Sequence, residues 1–306
     1  IRLLMKTLPG LIFIALICFS CNKDPEIINN NDAPYYNEVS TILIENYVNR
    51  LFIDLIGREP LDSEMDQEVI SLKSDSLSEQ SRRVLIQKLQ WNDSFIEGDS
   101  SYKHAYFHRL YEMIKVRLIE GASEAEILDK RGLFLGNAKT DSIIGDSVGM
   151  QKNLFKANKL TTLINAEVEY MNGNISIEKV HAIGLDNAIY DEINMNTFNF
   201  LNASFDDLLF RYPTGQEFYQ SFDMIEYNLS RILFNCPGQN KGDYIDIITN
   251  SAGCYEGLIR WAYITLLARE PVDSEINTLL YTFTNDKDFQ KVQEFIMISD
   301  EYANFN

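Results

Sequence analysis

The sequence predicts an all-α, multi-helical fold: three copies of a helix–corner–helix module arranged around an irregular helical middle segment. Two observations predict it. Apolar residues recur at i, i+3, i+4 and i+7, the stripe of a helix packed on a core. The same Arg-x-Pro corner, with a Glu four residues beyond the Pro, also occurs three times. At 45% apolar residues the 306-residue chain has enough material for a real core.

The first element is an export signal over residues 1–20. Lys6 precedes the apolar run Leu11–Phe19 (LIFIALICF), which ends at Ser20-Cys21. A membrane-spanning helix needs about 20 apolar residues, so this run is too short to span. A basic start, a short apolar core and a small residue at the cleavage point describe a secretory signal, with Met5 opening it. Its end resembles the lipobox of bacterial lipoproteins, which implies acylation at Cys21 and a chain anchored to the membrane rather than spanning it. Asn22, in place of Asp, resembles the pattern of outer-membrane sorting. The expected address is therefore the cell envelope, as an outer-membrane lipoprotein facing the periplasm or the outside. Residues 21–36 are polar and Asn-rich, too poor in apolar surface to fold, and read as a tether.

The first helical module spans 37–98. Val48, Leu51, Phe52 and Leu55 form its apolar stripe, and LFIDLIGREPLDSEM (Leu51–Met65) carries the corner. The second module spans 196–255, with the looser copy SFDDLLFRYPTGQEF (Ser204–Phe218). The third spans 256–306, where AYITLLAREPVDSEI (Ala262–Ile276) follows the stripe Ile259, Ala262, Tyr263 and Leu266. Eight of the twenty positions from Tyr47 to Asp66 are identical to those 211 residues later. In each corner an Arg in the last helical turn suits the negative end of the helix dipole. The Pro two residues on stops the helix. Thr214 and Glu217 form a capping box for the next helix, and Asp62 and Asp273 are the expected caps in the other two corners. The pairs Arg58/Glu64, Arg211/Glu217 and Arg269/Glu275 read as braces between helices, since an active site would not be repeated three times in one chain. Each module closes with another apolar helix: LIQKLQWNDSF (Leu85–Phe95), YIDIITNSAGCY (Tyr244–Tyr255) and VQEFIMISDEY (Val292–Tyr302).

The middle segment, 99–195, predicts a helix over Tyr102–Glu120 ended by Gly121 and another over Met150–Met171 ended by Asn172-Gly173. Short helices with irregular joints follow, and a small two-stranded element is compatible with this stretch. Phe198, Phe200, Phe205 and Phe210 lie on one predicted helix, with Phe198, Phe205 and Leu208 expected on a shared core face.

Together, DLIGREPLDSE and LIQKLQWNDSF resemble a helical domain of unknown function found in exported bacterial proteins, often beside cytochrome-c-like domains. LLAREPVDSE with SDEY is similar to a short helical repeat of some secreted and surface-layer proteins. The resemblance covers about half of the mature chain. It implies export and a helical fold, and supplies no catalytic residue.

Charge narrows the function. Removing residues 1–20 takes away Arg2 and Lys6 and leaves 25 basic against 45 acidic residues, a net charge of −20. Nucleic acid, whose phosphates need a cationic surface, is excluded as a partner. The acidic body also gains nothing from anionic lipid, so the membrane is met through the lipid anchor. Cys236 and Cys254 remain as an even pair in an oxidising compartment, which favours a disulfide between them. In the chain-entropy model such a bridge would contribute on the order of 3 kcal/mol. His104, His108 and Glu112, four residues apart, share a helix face and form the one metal-ligand candidate, against the alternative of a polar helix face. No cofactor is implied, and serine elbows, phosphate loops and dinucleotide fingerprints are missing. The expected function is binding or scaffolding of an envelope protein without identified catalysis. The alternatives are an enzyme acting on an envelope or extracellular polymer and a metal- or redox-associated accessory protein.

Overall fold

A computed structural model describes residues 39–305. The expected signal, Cys21 and the whole of the tether lie outside the described residues. The fold is all-α, with fifteen helices and one two-stranded hairpin among the described residues. The first stretch holds α1 (Thr41–Ile56), α2 (Asp62–Ser74) and α3 (Glu79–Trp91). The middle holds α4 (Tyr102–Ile119), α5 (Glu124–Ile144), α6 (Ser147–Met171), α7 (Ile177–Leu185) and α8 (Ala188–Asn194). Next come α9 (Thr197–Leu209), α10 (Gly215–Tyr227), the hairpin β1 (Arg231–Leu233) and β2 (Cys236–Gly238), and α11 (Lys241–Thr249). The last stretch holds α12 (Ala252–Leu267), α13 (Asp273–Asp286), α14 (Phe289–Met297) and α15 (Asp300–Ala303).

Helix starts are marked chemically. Ser40, Ser78, Ser101, Ser123, Asn187, Asn196, Asn240, Ser251 and Ser299 each accept a hydrogen bond from a free N–H of the following turn. Such a cap contributes about 1 kcal/mol. At two corners the capping differs from expectation. Asp62 and Asp273 sit inside the first turn, and Leu61 and Val272 occupy the cap position instead. The cap N–H groups of Leu61 and Val272 donate to Glu64 and Glu275. The brace glutamate therefore does the capping itself.

The apolar stripes face inward. Val48, Leu51 and Phe52 are fully buried, as are Ile259 and Leu208 to within a few per cent. Burying each such side chain stabilises the fold by about 1.5–3 kcal/mol. Helix α4 is the central strut, touching α1, α3, α6, α7 and α8. Helix α12 packs on α9, α13 and α14. The crossing with α9 is close because residue 257 is glycine: a Cβ there would lie 2.9 Å from the carbonyl carbon of Leu208 and nearer still to its oxygen. The two ends of the body interlock. Tyr47 Oη donates to the Met297 carbonyl at 3.2 Å, and Tyr302 Oη donates to Asp54 at 2.7 Å. Arg82 reaches Asp300 at 2.8 Å, and Gln90 donates to the Gln290 carbonyl at 3.2 Å. Residues 40–306 accordingly cluster as one unit.

Several expectations are corrected. The two-stranded element lies at β1–β2, after α10, and not in the middle segment. Helix α5 has no counterpart in the sequence reading: the weak helix formers Gly132 and Gly136 lie within it, and only Ile127, Phe134 and Ala138 are buried along its 21 residues. The closing segment Tyr244–Tyr255 is two helices, because Ser251 caps a new one. Phe198 does not share the core face of Phe205 and Leu208. It sits in the first turn of α9, past the edge of the core, and is 58% exposed.

Candidate functional sites

The three Arg-x-Pro corners adopt one geometry. Arg58 holds Glu64 through two parallel hydrogen bonds of 2.7 and 2.8 Å. Arg211 holds Glu217 at 2.8 and 2.7 Å, and Arg269 holds Glu275 at 2.9 and 2.7 Å. Each arginine also donates to the carbonyl of the next residue, Glu59, Tyr212 or Glu270. An aromatic ring six residues earlier lies under each guanidinium: Phe52, Phe205 and Tyr263, at 5.6, 5.3 and 5.2 Å from the ring centre. This bidentate, ring-backed arrangement is one that arginine makes and lysine cannot.

The corners also differ in what completes the guanidinium. Asp99 at 2.9 Å and Glu301 at 2.6 Å complete the first and third guanidinium groups. Arg211 meets no second carboxylate among the described residues and is the most exposed of the three, at 44%. Burial pushes the Glu64 carboxyl up, but Arg58, Tyr102 and the Leu61 N–H outweigh it and hold it at about 2. Arg211 holds Glu217 at about 2 against its burial. Carboxylates fixed in this way are acceptors already spent on the fold, and do not work as proton donors near neutral pH.

The metal candidates are not assembled. The His104 and His108 rings stack with centres 6.4 Å apart, but His108 Nδ1 faces the Glu167 carboxylate at 3.2 Å. Glu112 turns to Lys115 at 2.6 Å. Among the described residues no group of three or more His, Cys, Asp or Glu could hold a metal ion. The expected disulfide is not formed either. Cys236 is exposed on β2, whereas Cys254 lies in the first turn of α12 and is fully buried, facing the core. Burial pushes the Cys254 thiol up to about 12, which leaves it protonated and unreactive.

Polar groups in the interior are tied to packing. Arg117 donates to the Asp207 carbonyl at 2.6 Å and lies 4.1 Å from the centre of the Phe210 ring. Tyr190 Oη donates to the Asp207 carboxyl at 2.8 Å, and burial raises that carboxyl to about 6. His181 is wholly buried, and burial lowers it to about 4, so it is neutral. Its Nδ1 donates to the Ile177 carbonyl at 2.9 Å. Its Nε2 meets no hydrogen-bond partner among the described residues. A hollow of about 370 Å³ opens between α6, α7 and α11, lined by Phe155, Lys159, Lys179, Asp186 and Asp246. Its lysines are matched there by Asp186 and Asp246, so it offers no unpaired charge to an ionic substrate.

Sequence reading missed the arm formed by α5 and α6. Helix α5 packs extensively on α6, and among the described residues its one ion pair to another helix joins Lys130 to Glu192 on α8. Its outer surface shows Leu128, Leu133 and Leu135 at 38%, 56% and 43% exposure, and Ile143 and Ile144 above 70% near the turn. A Cβ added at Gly132 or Gly136 would meet nothing within 4 Å. Two glycines in a helix interior, each costing about 1 kcal/mol and serving no contact in the chain, were the available signal. Among the described residues no helix is long and apolar enough to cross a membrane.

Comparison with protein-family models, curated proteins and solved structures finds no match for this chain.

Proposed function

We propose that this chain is an exported lipoprotein of the bacterial cell envelope, anchored through Cys21, that binds another envelope protein through the α5–α6 arm and does not turn over a substrate. The observation that carries the reading is helix α5, 21 residues long and covered on one side only. A helix of that length is about 30 Å long, and two helices are about 20 Å wide. One face of the arm is therefore on the order of 600 Å², approaching the roughly 800 Å² per partner of a standard interface. Leu128, Leu133, Leu135, Ile143 and Ile144 are exposed on it among polar residues, and exposed apolar side chains gathered in this way mark an interaction site. The arm is less acidic than the rest: residues 124–171 hold six basic and seven acidic residues, a net −1 in a chain of net −18. The partner chemistry that fits is an apolar helix.

The test is purification of the tagged protein from gently solubilised membranes, comparing the native chain with Leu128→Glu/Leu135→Glu and with Gly132→Ala/Gly136→Ala. The reading expects a stoichiometric protein partner with the native chain and its loss with the Leu pair. The Gly pair is expected to stabilise the isolated chain by about 0.5–1 kcal/mol per site while weakening capture. A partner held equally by all three chains removes the arm from the reading. Recovery of the native chain alone, with other envelope complexes intact, removes the binding function.

A further inference from the structure

The middle Arg-x-Pro corner carries a surface that the other two lack. Counted from the shared arginines, Phe198, Tyr219 and Tyr227 stand where the first corner has Glu45, Asp66 and Ser74. The third corner has Glu256, Asn277 and Asn285 at the same positions. The helical module is therefore built twice in this chain without aromatic residues there. Nor do these rings serve the core: Phe198, Tyr219 and Tyr227 are 58%, 71% and 61% exposed.

Half-buried Phe218 and Phe222 join them into one row. Phe198 and Phe218 have ring centres 5.3 Å apart, Phe218 and Phe222 5.8 Å, and Phe222 and Tyr227 5.9 Å. Tyr219 flanks the row, 5.9 Å from Phe218. Thr197 ties its two helices together, donating to Glu226 at 2.6 Å. The row thus rides on α9 and α10, two fixed helices rather than a loop.

We infer that this row is a stacking platform for a neutral polysaccharide. Sugar rings present flat C–H faces bordered by hydroxyls, so they lie on aromatic faces and hydrogen-bond at their edges. Amides stand on the same two helices for those edges: Asn199, Gln216 and Gln220. Charge selects against the polyanionic ligands that also stack or adhere. From residue 196 to 230 there are five acids and one base, Arg211, which is already paired with Glu217. Arg231, next along, is held by Asp223 at 2.7 Å. Nucleic acid, acidic polysaccharide and anionic lipid are repelled from such a surface. Every large apolar residue exposed on α9 and α10 is aromatic, whereas the α5 face is exposed through Leu and Ile. The platform and the arm are separate surfaces, and failure of one leaves the other standing.

The experiment is native affinity electrophoresis of the purified chain through gels containing hydroxyethyl cellulose, mannan or galactan, with alginate as the polyanionic control. Retardation by at least one neutral glycan and not by alginate is expected. Phe198→Ala/Tyr219→Ala/Tyr227→Ala should weaken that retention about tenfold or more, since stacking losses of this kind are large per ring. Circular dichroism should show unchanged helix content, because all three positions are exposed. Tyr219→Ala alone, the most exposed of the three, gives a smaller loss in the same direction. Free migration through all three neutral gels overturns the inference, and so does retention by alginate alone or retention undiminished in the triple variant. A concentration-dependent dimer that the triple variant abolishes, without glycan retention, assigns the rings to a second copy and also overturns it.

Discussion

Arg58, Arg211 and Arg269 each close a helix end, grip a glutamate six residues on and lie over an aromatic ring six residues back. The consequence for stability depends on pH. Glu64 and Glu217 fall from the ordinary 4.5 to about 2 in the fold. A depressed carboxyl contributes stability that is fully present above the unfolded value and is lost as pH falls through the folded one. Urea midpoints should therefore drop as pH falls from about 4.5 towards 2. Glu64→Gln should cost about 1 kcal/mol near neutral pH, allowing for solvent screening, and should reduce that drop. Urea titrations of both chains near pH 6 and pH 2.5 check this. An identical acid drop in the variant would show that the proton uptake lies elsewhere.

At the scale of elements, two kinds of helical glycine behave in opposite ways. Gly132 and Gly136 face open space, so adding a methyl group there strengthens α5. Gly257 lies where α12 crosses the backbone of α9, and Gly257→Ala would drive a methyl group into the Leu208 carbonyl. The helices must then separate, at about 2 kcal/mol or more. Thermal unfolding should show a loss of several degrees, and an unchanged midpoint would mean that the two helices part at no cost. Both glycines sit in helical sequence, and nothing local tells them apart. The stripe at Val48–Leu55 was legible because a one-sided helix writes its burial into its own period. Helix α5 was not, because its exposed leucines and inner Phe134 spread apolar residues over more than one face.

Over the whole molecule, the first and last helices complete one another. Tyr302 fills space against α1 and is 1% exposed, and α14 packs on α3. The body should therefore unfold as one cooperative unit even though it contains three similar corners. Trp91 ends α3 and Trp261 lies in α12, one reporter at each end of the chain. In single-tryptophan variants, Trp91→Phe and Trp261→Phe, the fluorescence midpoints in urea should coincide with each other and with circular dichroism. Separated midpoints would show that the corners are independent folding units.

The sequence by itself determined what depends on neighbours within a turn or two: helical class, the Thr214 cap, and corners in which Arg, Pro and Glu are close enough to meet through local geometry. Only the tertiary structure decided which faces stay uncovered. It turned Phe198 outward and the Cys254 thiol inward, left α5 with one covering helix, and drew Tyr47 to the Met297 carbonyl 250 residues away. The reason is physical. Capping is settled by groups a few ångströms apart along the chain, whereas burial depends on segments far apart in sequence that no local pattern records.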